Sequence, residues 1–237
     1  ICNIDQLEFR KINALQDGQK TVCGQQLHGV GILECLDALS QKWKEGLNKT
    51  KNFNKSSNVI KKGIGLGSCW YGCGNTALPN PSTIKIGIDN IGRLFLHQGA
   101  TDIGQGSNTV ITQICADALG VPINVFKLIG PDTHLTPDCG KTSASRQTYI
   151  SGKAAELAGT SLRKKILRLS NMGSDAVIEF IDKSVVVKHK DKKQVLNLNE
   201  MDKNKDGYVL SAIETYDPPT IPLDDNGQGK PYAVYGY

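Results

Sequence analysis

The chain has 237 residues, of which 39% are hydrophobic and 22% charged, and its formal net charge is +5. This composition is typical of a folded globular protein with one large or two small domains, and it argues against a disordered or membrane-spanning chain. The lysines are scattered rather than arranged in one basic stripe, which argues against a nucleic-acid-binding protein. Seven cysteines at irregular spacing argue against a disulfide framework, and Cys69 and Cys73 are predicted to be buried thiols in a reducing cytoplasm.

Hydrophobic periodicity and turn residues predict mixed secondary structure along the chain. Residues 5–27 are expected to be mostly irregular, followed by an amphipathic helix over 29–46 and a polar linker over 47–58. Strands are predicted at 60–70, 83–88, 93–96, 124–129, 176–180, 184–187 and 208–216, and further helices at 107–119 and 147–169. This irregular order of strands and helices favours an α+β fold.

The first candidate binding feature is a glycine-rich loop that leads into a predicted helix. Gly104 and Gly106 flank Gln105 and allow the backbone to approach a ligand closely. The helix expected from Ser107 would direct its first N–H groups and its positive dipole end at that loop, which suits a phosphate or the polar edge of a pterin. A plain glycine turn with a serine cap remains the alternative for this loop alone.

The second candidate feature repeats this arrangement at the start of the helix predicted over 147–169. Ser145 and Thr148 offer hydroxyl groups, Arg146 offers forked cationic donors, and Gln147 offers a second amide. A helix cap with a surface arginine is the alternative here. Two such loops in one chain are harder to explain as caps, so we expect a bound anionic or strongly polar ligand.

The order of these motifs resembles the pyranopterin-binding half of the molybdenum hydroxylases, the xanthine dehydrogenase and aldehyde oxidoreductase family. The matching segments are 104–106, Asp132-Thr133 and 144–148, and further similarity covers 5–13, 21–25 and 228–235. The resemblance implies that residues 1–58 are the C-terminal tail of a first molybdenum-binding domain plus a linker. Residues 59–237 would then be the N-terminal part of a second, α+β molybdenum-binding domain, with two helix N-termini facing the cofactor.

The resemblance also implies the cofactor and its contacts. The cofactor would be molybdopterin with molybdenum, in the cytosine dinucleotide form. The backbone of Ala144 would approach the metal, and no side chain of this chain would be a metal ligand. The residues implied to hold the pterin and its phosphates are Gly104, Gln105, Gly106, Thr109, Ser143, Ala144, Ser145, Arg146, Gln147 and Thr148.

An uncharged aromatic segment over 69–81 is the candidate substrate loop. It is most similar to the medium molybdopterin subunits of bacterial nicotinate dehydrogenases, in a family where the equivalent loop borders the substrate funnel. A planar N-heterocycle could stack on Trp70 or Tyr71, with Asn75 nearby, and these three residues are the predicted substrate pocket. A buried structural loop is the alternative interpretation.

The implied reaction is hydroxylation of an electron-poor carbon of a nicotinate- or purine-like N-heterocycle, with water as the oxygen source. An aldehyde is the alternative substrate, and a non-catalytic cofactor carrier or binding module is the alternative of another class. No catalytic residue is expected in this chain, because the family's glutamate base would lie beyond Tyr237, so the chain alone is predicted to be inactive. Its expected partners are the remaining molybdenum-domain segments and iron–sulfur and FAD-containing domains or subunits, with neither nucleic acid nor membrane.

Several weaker motifs are rejected. Gly63–Gly67 lacks the third glycine and the acidic residue of a dinucleotide-binding loop. Residues 202–207 open like a calcium loop, but Ile213 stands where the bidentate acid belongs. Cys69 and Cys73 have no second ligand pair for zinc. The four histidines show no ligand spacing, and His97 is expected to be a hydrogen-bonded core or loop residue.

Overall fold

The computed structural model describes residues 2–22, 24–69, 79–143 and 145–230. The chain divides into two compact units, Ile1–Ala77 with Thr220–Pro231 and Leu78–Pro219 with Tyr232–Tyr237. Within the described ranges, none of the helices combines the length and apolar character that crossing a bilayer requires. The two units are built around separate clusters of buried side chains.

The first unit contains three helices, α1 (Gln6–Ile12), α2 (Ile32–Ala38) and α3 (Ser40–Ser56). Asp5 caps α1, because its carboxylate accepts hydrogen bonds from the N–H groups of Leu7 and Glu8 at 2.8 and 3.2 Å. The indole of Trp43 on α3 donates to the same carboxylate. Leu7, Leu36 and Trp43 form the small core, so one acidic residue joins the start of α1 to the helix that covers it.

Three sequence predictions for the first unit are wrong. Residues 47–56 are the second half of α3 rather than a linker, since lysine and asparagine are tolerated on an exposed helical face. Asn54 further fixes this end of the helix, where its side chain bonds both the N–H and the carbonyl of Lys62 at 2.8 Å. The helix predicted over 29–46 is divided between α2 and α3, and the described part of 60–70 contains no strand.

The second unit contains two sheets. Its strands in chain order are β1 (Ser82–Ile88), β2 (Leu94–His97), β3 (Phe126–Ile129), β4 (Val177–Ile181), β5 (Ser184–His189), β6 (Lys192–Asn197) and β7 (Leu210–Tyr216). The larger sheet has the order β3-β2-β1-β7, with β2 and β3 parallel and the other pairs antiparallel. The smaller sheet is an antiparallel meander of β4, β5 and β6.

Two helices pack on the inner face of the larger sheet. α4 (Ser107–Leu119) connects the parallel strands β2 and β3, and α5 (Gly152–Leu169) follows a π-helical turn over Gln147–Ser151. Alternate residues of β1 point inward, with Ile84, Ile86 and Ile88 buried against both helices in one core. The loops that precede α4 and α5 therefore both belong to the second unit.

Most element predictions for this unit are confirmed. α4 has the predicted bounds and ends at Gly120, which adopts the left-handed conformation of a helix C-cap. The predicted β1, β2, β3, β4, β5 and β7 are present, with small shifts at their ends. β6 was not predicted, because five of its six residues are exposed and it carries no buried alternation. The mixed α+β class is confirmed.

Candidate cofactor-binding site

The first loop meets α4 through two glycines in conformations that other residues rarely adopt. Gly104 and Gly106 have φ values of +103° and +81°, and Gly106 is the N-cap of α4. No atom lies within 4 Å of the position of a Cβ at either glycine, so both open onto free space. The loop therefore presents bare backbone at the surface, as close approach of a ligand requires.

The N–H groups of this loop are bound by a carboxylate of the loop itself. Asp102 accepts hydrogen bonds from the N–H groups of Gly104 and Gly106 at 2.9 and 3.3 Å and from that of Asn108 at 3.1 Å. These bonds hold the pKa of the Asp102 carboxyl below its ordinary value, with the bond from Gly104 as the largest cause. The start of α4 is thus stabilised by an internal anion rather than by a serine cap.

Gln105 in this loop and Ser107 at the start of α4 differ in their exposure to solvent. Gln105 is exposed, and its amide bonds the N–H of Ile103 at 2.7 Å and the carbonyl of Thr101 at 3.3 Å. The hydroxyl of Ser107 is buried, and among the described residues it has no hydrogen-bond partner. A buried hydroxyl without a partner is uncommon in folded proteins.

The second loop is organised around Arg146, which is only 2% exposed. Its Nε donates to the Asn80 amide oxygen at 2.5 Å, and its Nη2 donates to the carbonyls of Asn80 and Pro81 at 3.2 and 2.7 Å. Its Nη1 donates to the carbonyls of Cys139 and Lys141 at 2.5 and 3.2 Å. The acceptors of these forked donors are groups of the protein, while the predicted contact of Arg146 with a cofactor stays a prediction.

Gln147 is buried beside Arg146 and is also held by the protein. Its Nε2 donates to the carbonyl of Gly140 at 3.2 Å, and its Oε1 accepts from the hydroxyl of Ser151. The Ser151 hydroxyl in turn lies 2.7 Å from that of Ser82 on β1. Gln147 therefore connects the loop before α5 to the central strand of the sheet.

The two loops lie side by side. The Thr142 hydroxyl donates to the carbonyl of Thr101 at 2.8 Å, and the N–H of Gly99 donates to Cys139 Sγ at 3.1 Å. A Cβ at Gly99 would come within 2.4 Å of the Pro137 carbonyl oxygen, so this approach requires glycine. The loops predicted to share a ligand are thus joined directly.

An open cavity of about 760 Å³ lies beside the π-helical turn over Gln147–Ser151 and the first residues of α5. Its polar lining includes Ser145, Thr148 and the ion pair of Lys153 with Glu156, whose charged atoms are 2.7 Å apart. Tyr149 and Tyr216 contribute aromatic rings in edge-to-face contact, with centroids 6.5 Å apart. The volume falls within the range of about 300–1,000 Å³ that is usual for small-molecule sites.

The predicted residues divide into three groups. Gly104, Gln105, Gly106, Thr109, Ser145 and Thr148 lie at the surface or in partly exposed positions, Ser143 is half-buried, and Arg146 and Gln147 are buried. Ala144, Trp70, Tyr71 and Asn75 lie outside the described residues, so their predicted contacts stay predictions. Cys69 is exposed, which contradicts its prediction as a buried thiol, while Cys73 is also outside the described residues.

Several residues of the site were not singled out in the sequence. Asp102 could have been found, since an aspartate followed by glycines at the second and fourth positions is typical of a turn capped by its own side chain. Asn80, Cys139 and Thr142 carry no such signal, because their partners lie far away in the sequence. Across the described ranges, no three His, Cys, Asp or Glu side chains cluster as metal ligands.

His97 is a structural residue on the outer face of the larger sheet. Its Nδ1 lies 2.8 Å from the Leu135 carbonyl and must carry a proton there, so Nε2 accepts from the Tyr208 hydroxyl at 2.5 Å. Burial lowers the pKa of His97, which favours this neutral form. The prediction of a hydrogen-bonded core histidine is confirmed.

An α+β unit with two adjacent glycine- and hydroxyl-rich loops is consistent with the family resemblance of the sequence. A family model described as the molybdopterin cofactor-binding domain matches residues 38–237. The chain therefore belongs to this family, as a molybdopterin-binding domain of the xanthine dehydrogenase and aldehyde oxidoreductase type.

Similar sequences agree with this assignment, and a solved structure agrees with the fold. A putative xanthine dehydrogenase molybdenum-binding subunit of Escherichia coli is 30% identical over 175 residues, covering 69% of this chain and 22% of the relative. An aldehyde oxidoreductase of Megalodesulfovibrio gigas is 29% identical, covering 68% of this chain and 18% of the relative. The crystal structure of the aldehyde oxidoreductase from Desulfovibrio desulfuricans matches 96% of this chain and 22% of its own, with a TM-score of 0.61 and 22% identity. The chain thus spans about a fifth of the length of these proteins.

Proposed function

We propose that this chain is the cofactor-binding portion of a molybdenum hydroxylase and that its two adjacent loops hold the pterin and phosphates of the cofactor. The observation that carries this proposal is the direct bond between the loops, from the Thr142 hydroxyl to the Thr101 carbonyl at 2.8 Å. The cavity lined by Ser145 and Thr148 opens beside the second loop, which this bond joins to the first, and this supports one ligand that reaches both loops.

The chemistry of the described residues fits a pterin dinucleotide. Bare backbone at Gly104 and Gly106 can approach a flat ring, and the hydroxyls of Ser145 and Thr148 can bond ring nitrogens or phosphate oxygens. Lys153 supplies a cation in the same cavity, where it forms an ion pair with Glu156. When bound, the cofactor would supply two-electron oxidation with oxygen transfer from water, while these residues bind and orient it.

The proposed substrate is an N-heterocycle of the nicotinate or purine type, hydroxylated at an electron-poor carbon. Support comes from the sequence resemblance of the segment that contains Trp70, Tyr71 and Asn75. An aldehyde is the second candidate, since an aldehyde oxidoreductase is among the similar proteins. The glutamate base expected beyond Tyr237 is part of this proposal, so activity is assigned to the complete enzyme.

The remaining details extend the same proposal. The cofactor form would be the cytosine dinucleotide, with iron–sulfur clusters and FAD on partner domains or subunits. The division into 1–58 and 59–237 would place the end of a first molybdenum-binding domain before the start of a second. A cytoplasmic location is proposed from the reduced cysteines expected of the sequence.

The first test measures molybdenum per polypeptide in the complete enzyme. Thr148→Ala and Gln105→Ala are expected to lower the occupancy several-fold, because each removes a hydrogen-bonding side chain from the proposed site. Thr160→Ala on α5 and Gln113→Ala, an exposed position on α4, are matched controls expected to keep wild-type occupancy.

The outcomes separate the candidate functions. Wild-type occupancy in both Thr148→Ala and Gln105→Ala would contradict the assignment of these loops. Full molybdenum loading of the wild-type enzyme without turnover of any heterocycle or aldehyde would favour the cofactor carrier instead. Loss of occupancy in the two site variants, with turnover proportional to bound molybdenum, is the result that we expect.

A further inference from the structure

Every nitrogen of the Arg146 guanidinium donates to at least one oxygen of the protein. A guanidinium carries five N–H groups in one plane. Five oxygens of Asn80, Pro81, Cys139 and Lys141 accept from Arg146 at 2.5–3.2 Å. These acceptors come from two separate segments, 80–81 and 139–141, which the side chain therefore joins.

The surrounding backbone is shaped to admit this side chain. Gly140 has a φ of +66°, and a Cβ at this position would lie 2.3 Å from Arg146 Nη2. Asn80, the other main partner, is buried and donates its N–H to the Asp217 carboxylate at 2.8 Å. Asp217 directly follows β7, so the network extends to the end of the last strand.

The positions of segments 80–81 and 139–141 determine how the two candidate cofactor-binding loops meet. Segment 139–141 is followed by Thr142, which bonds the glycine-rich loop at Thr101. Segment 80–81 precedes β1, and the N–H of Thr83 on this strand donates to the Asp138 carbonyl at 3.0 Å. A displacement of either segment would therefore alter how the two loops meet.

We infer that Arg146 is a positioning residue, whose buried guanidinium fixes segments 80–81 and 139–141 against the start of the α5 segment and does not contact the cofactor phosphates. A lysine keeps the positive charge but has three donors on one atom, so it cannot bond both segments in this fork geometry. If Arg146 bound phosphate, a lysine would retain much of the function as a point charge. The two roles thus predict different behaviour of Arg146→Lys.

The experiment is hydrogen exchange by mass spectrometry on the complete enzyme, with and without cofactor. Arg146→Lys is expected to accelerate exchange about tenfold at the N–H groups of Asn80, Thr83 and Gly140, in the enzyme with cofactor and in the enzyme without it. A factor of about ten corresponds to the loss of one charge-assisted hydrogen bond. Asn80→Ala removes the acceptor of Arg146 Nε and should accelerate the same sites. If Arg146→Lys fails to fold, Asn80→Ala alone can test the same network.

The matched control is Arg163→Lys on α5. Arg163 also donates to carbonyls, those of Leu119, Ser174 and Ala176 at 2.6–2.9 Å, but these lie away from both loops. This variant should leave exchange at Asn80, Thr83 and Gly140 unchanged and should keep the wild-type molybdenum content.

Molybdenum content provides the second measurement, and its interpretation rests on the proposed function. Arg146→Lys and Asn80→Ala are both expected to lower the content several-fold, because both loosen the same segments. Acceleration of exchange confined to the loaded enzyme, or full molybdenum in Asn80→Ala beside a loss in Arg146→Lys, would overturn the positioning role. Absence of molybdenum from the wild-type enzyme would contradict the proposed function, while exchange in the cofactor-free state would still decide the role of Arg146.

Discussion

At the scale of single residues, the site depends on polar groups that the protein satisfies internally. Asp102 accepts hydrogen bonds from N–H groups at the start of α4. Arg146 donates to carbonyls of segments 80–81 and 139–141. Each arrangement fixes backbone that would otherwise need water or a ligand as a partner. The groups left to contact a ligand are the glycine backbone, the hydroxyls and the exposed amide of Gln105.

Asp102 supplies a prediction about pH. Its folded-state pKa is lowered by the bonds from Gly104 and Asn108, so its carboxylate stabilises the fold above the ordinary value of 3.8. This stabilisation is lost as the pH falls through the folded-state pKa. Asp102→Asn should therefore unfold more easily than wild type near neutral pH, and the difference should shrink in acid.

Urea unfolding of the cofactor-free enzyme at a series of pH values measures this difference. Asp117→Asn, in the last turn of α4, controls for the loss of one negative charge. A difference between Asp102→Asn and wild type that stays constant down to the acid limit would contradict the role of the carboxylate.

At the scale of secondary structure, the distance between α4 and α5 is set by small residues. A Cβ at Gly159 would lie 2.7 Å from the Cys115 carbonyl oxygen and 2.9 Å from the Ala118 Cβ. A Cβ at Gly152 would meet the end of the Ile114 side chain at 2.8 Å. Because the two loops lead into these helices, this close packing also limits how near the two loops can come.

Gly159→Ala tests that packing, because the sign of the change in the free energy of unfolding depends on whether the two helices have room for a methyl group. Helix propensity alone would stabilise α5 by about 1 kcal/mol, whereas overpacking against the backbone of α4 costs about 1–3 kcal/mol. We expect net destabilisation in urea unfolding, because the Cys115 carbonyl cannot move without bending α4.

Gly46→Ala in α3 is the matched control. Its new Cβ would meet only the side chain of Ile64, which can rotate away, so the variant should be neutral or more stable. A stabilising Gly159→Ala of the same size as Gly46→Ala would mean that the two helices have room between them.

At the scale of the whole molecule, the chain corresponds to one part of much longer relatives. It covers 22% of the Escherichia coli relative and 18% of the Megalodesulfovibrio gigas relative. The second unit nevertheless has its own core, in which β1, α4 and α5 are fully packed. A preformed scaffold of this kind can hold the two loops in place.

The reaction of the complete enzyme supplies the last prediction. With ¹⁸O-labelled water, the label should appear in the hydroxylated product, and kcat/KM should be highest for nicotinate- or purine-like heterocycles. Transfer of label from molecular oxygen would contradict the proposed reaction. A higher kcat/KM for aldehydes would favour the alternative substrate class, and denatured enzyme serves as the blank.

The sequence was most informative where a local pattern dictated the structure. The bounds of α4 follow from Gly106 and Gly120, and the alternation of Ile84, Ile86 and Ile88 predicted β1. It was misleading over 47–56, where polar composition indicated a linker but the residues form exposed helix. It also missed β6, whose exposed residues carry no burial pattern. In both cases the fold left these side chains in solvent, and such positions accept many residue types.

By itself, the sequence determined the two glycine- and hydroxyl-rich loops, the α+β class and the molybdenum hydroxylase family, because these depend on residue order and short-range geometry. Only the tertiary structure decided that the loops meet at Thr101 and Thr142, and that Arg146 is turned inward onto Asn80 and Cys139. The physical reason is that backbone carbonyls accept these hydrogen bonds. Every residue has a carbonyl, so only the folded chain determines which of them an arginine reaches.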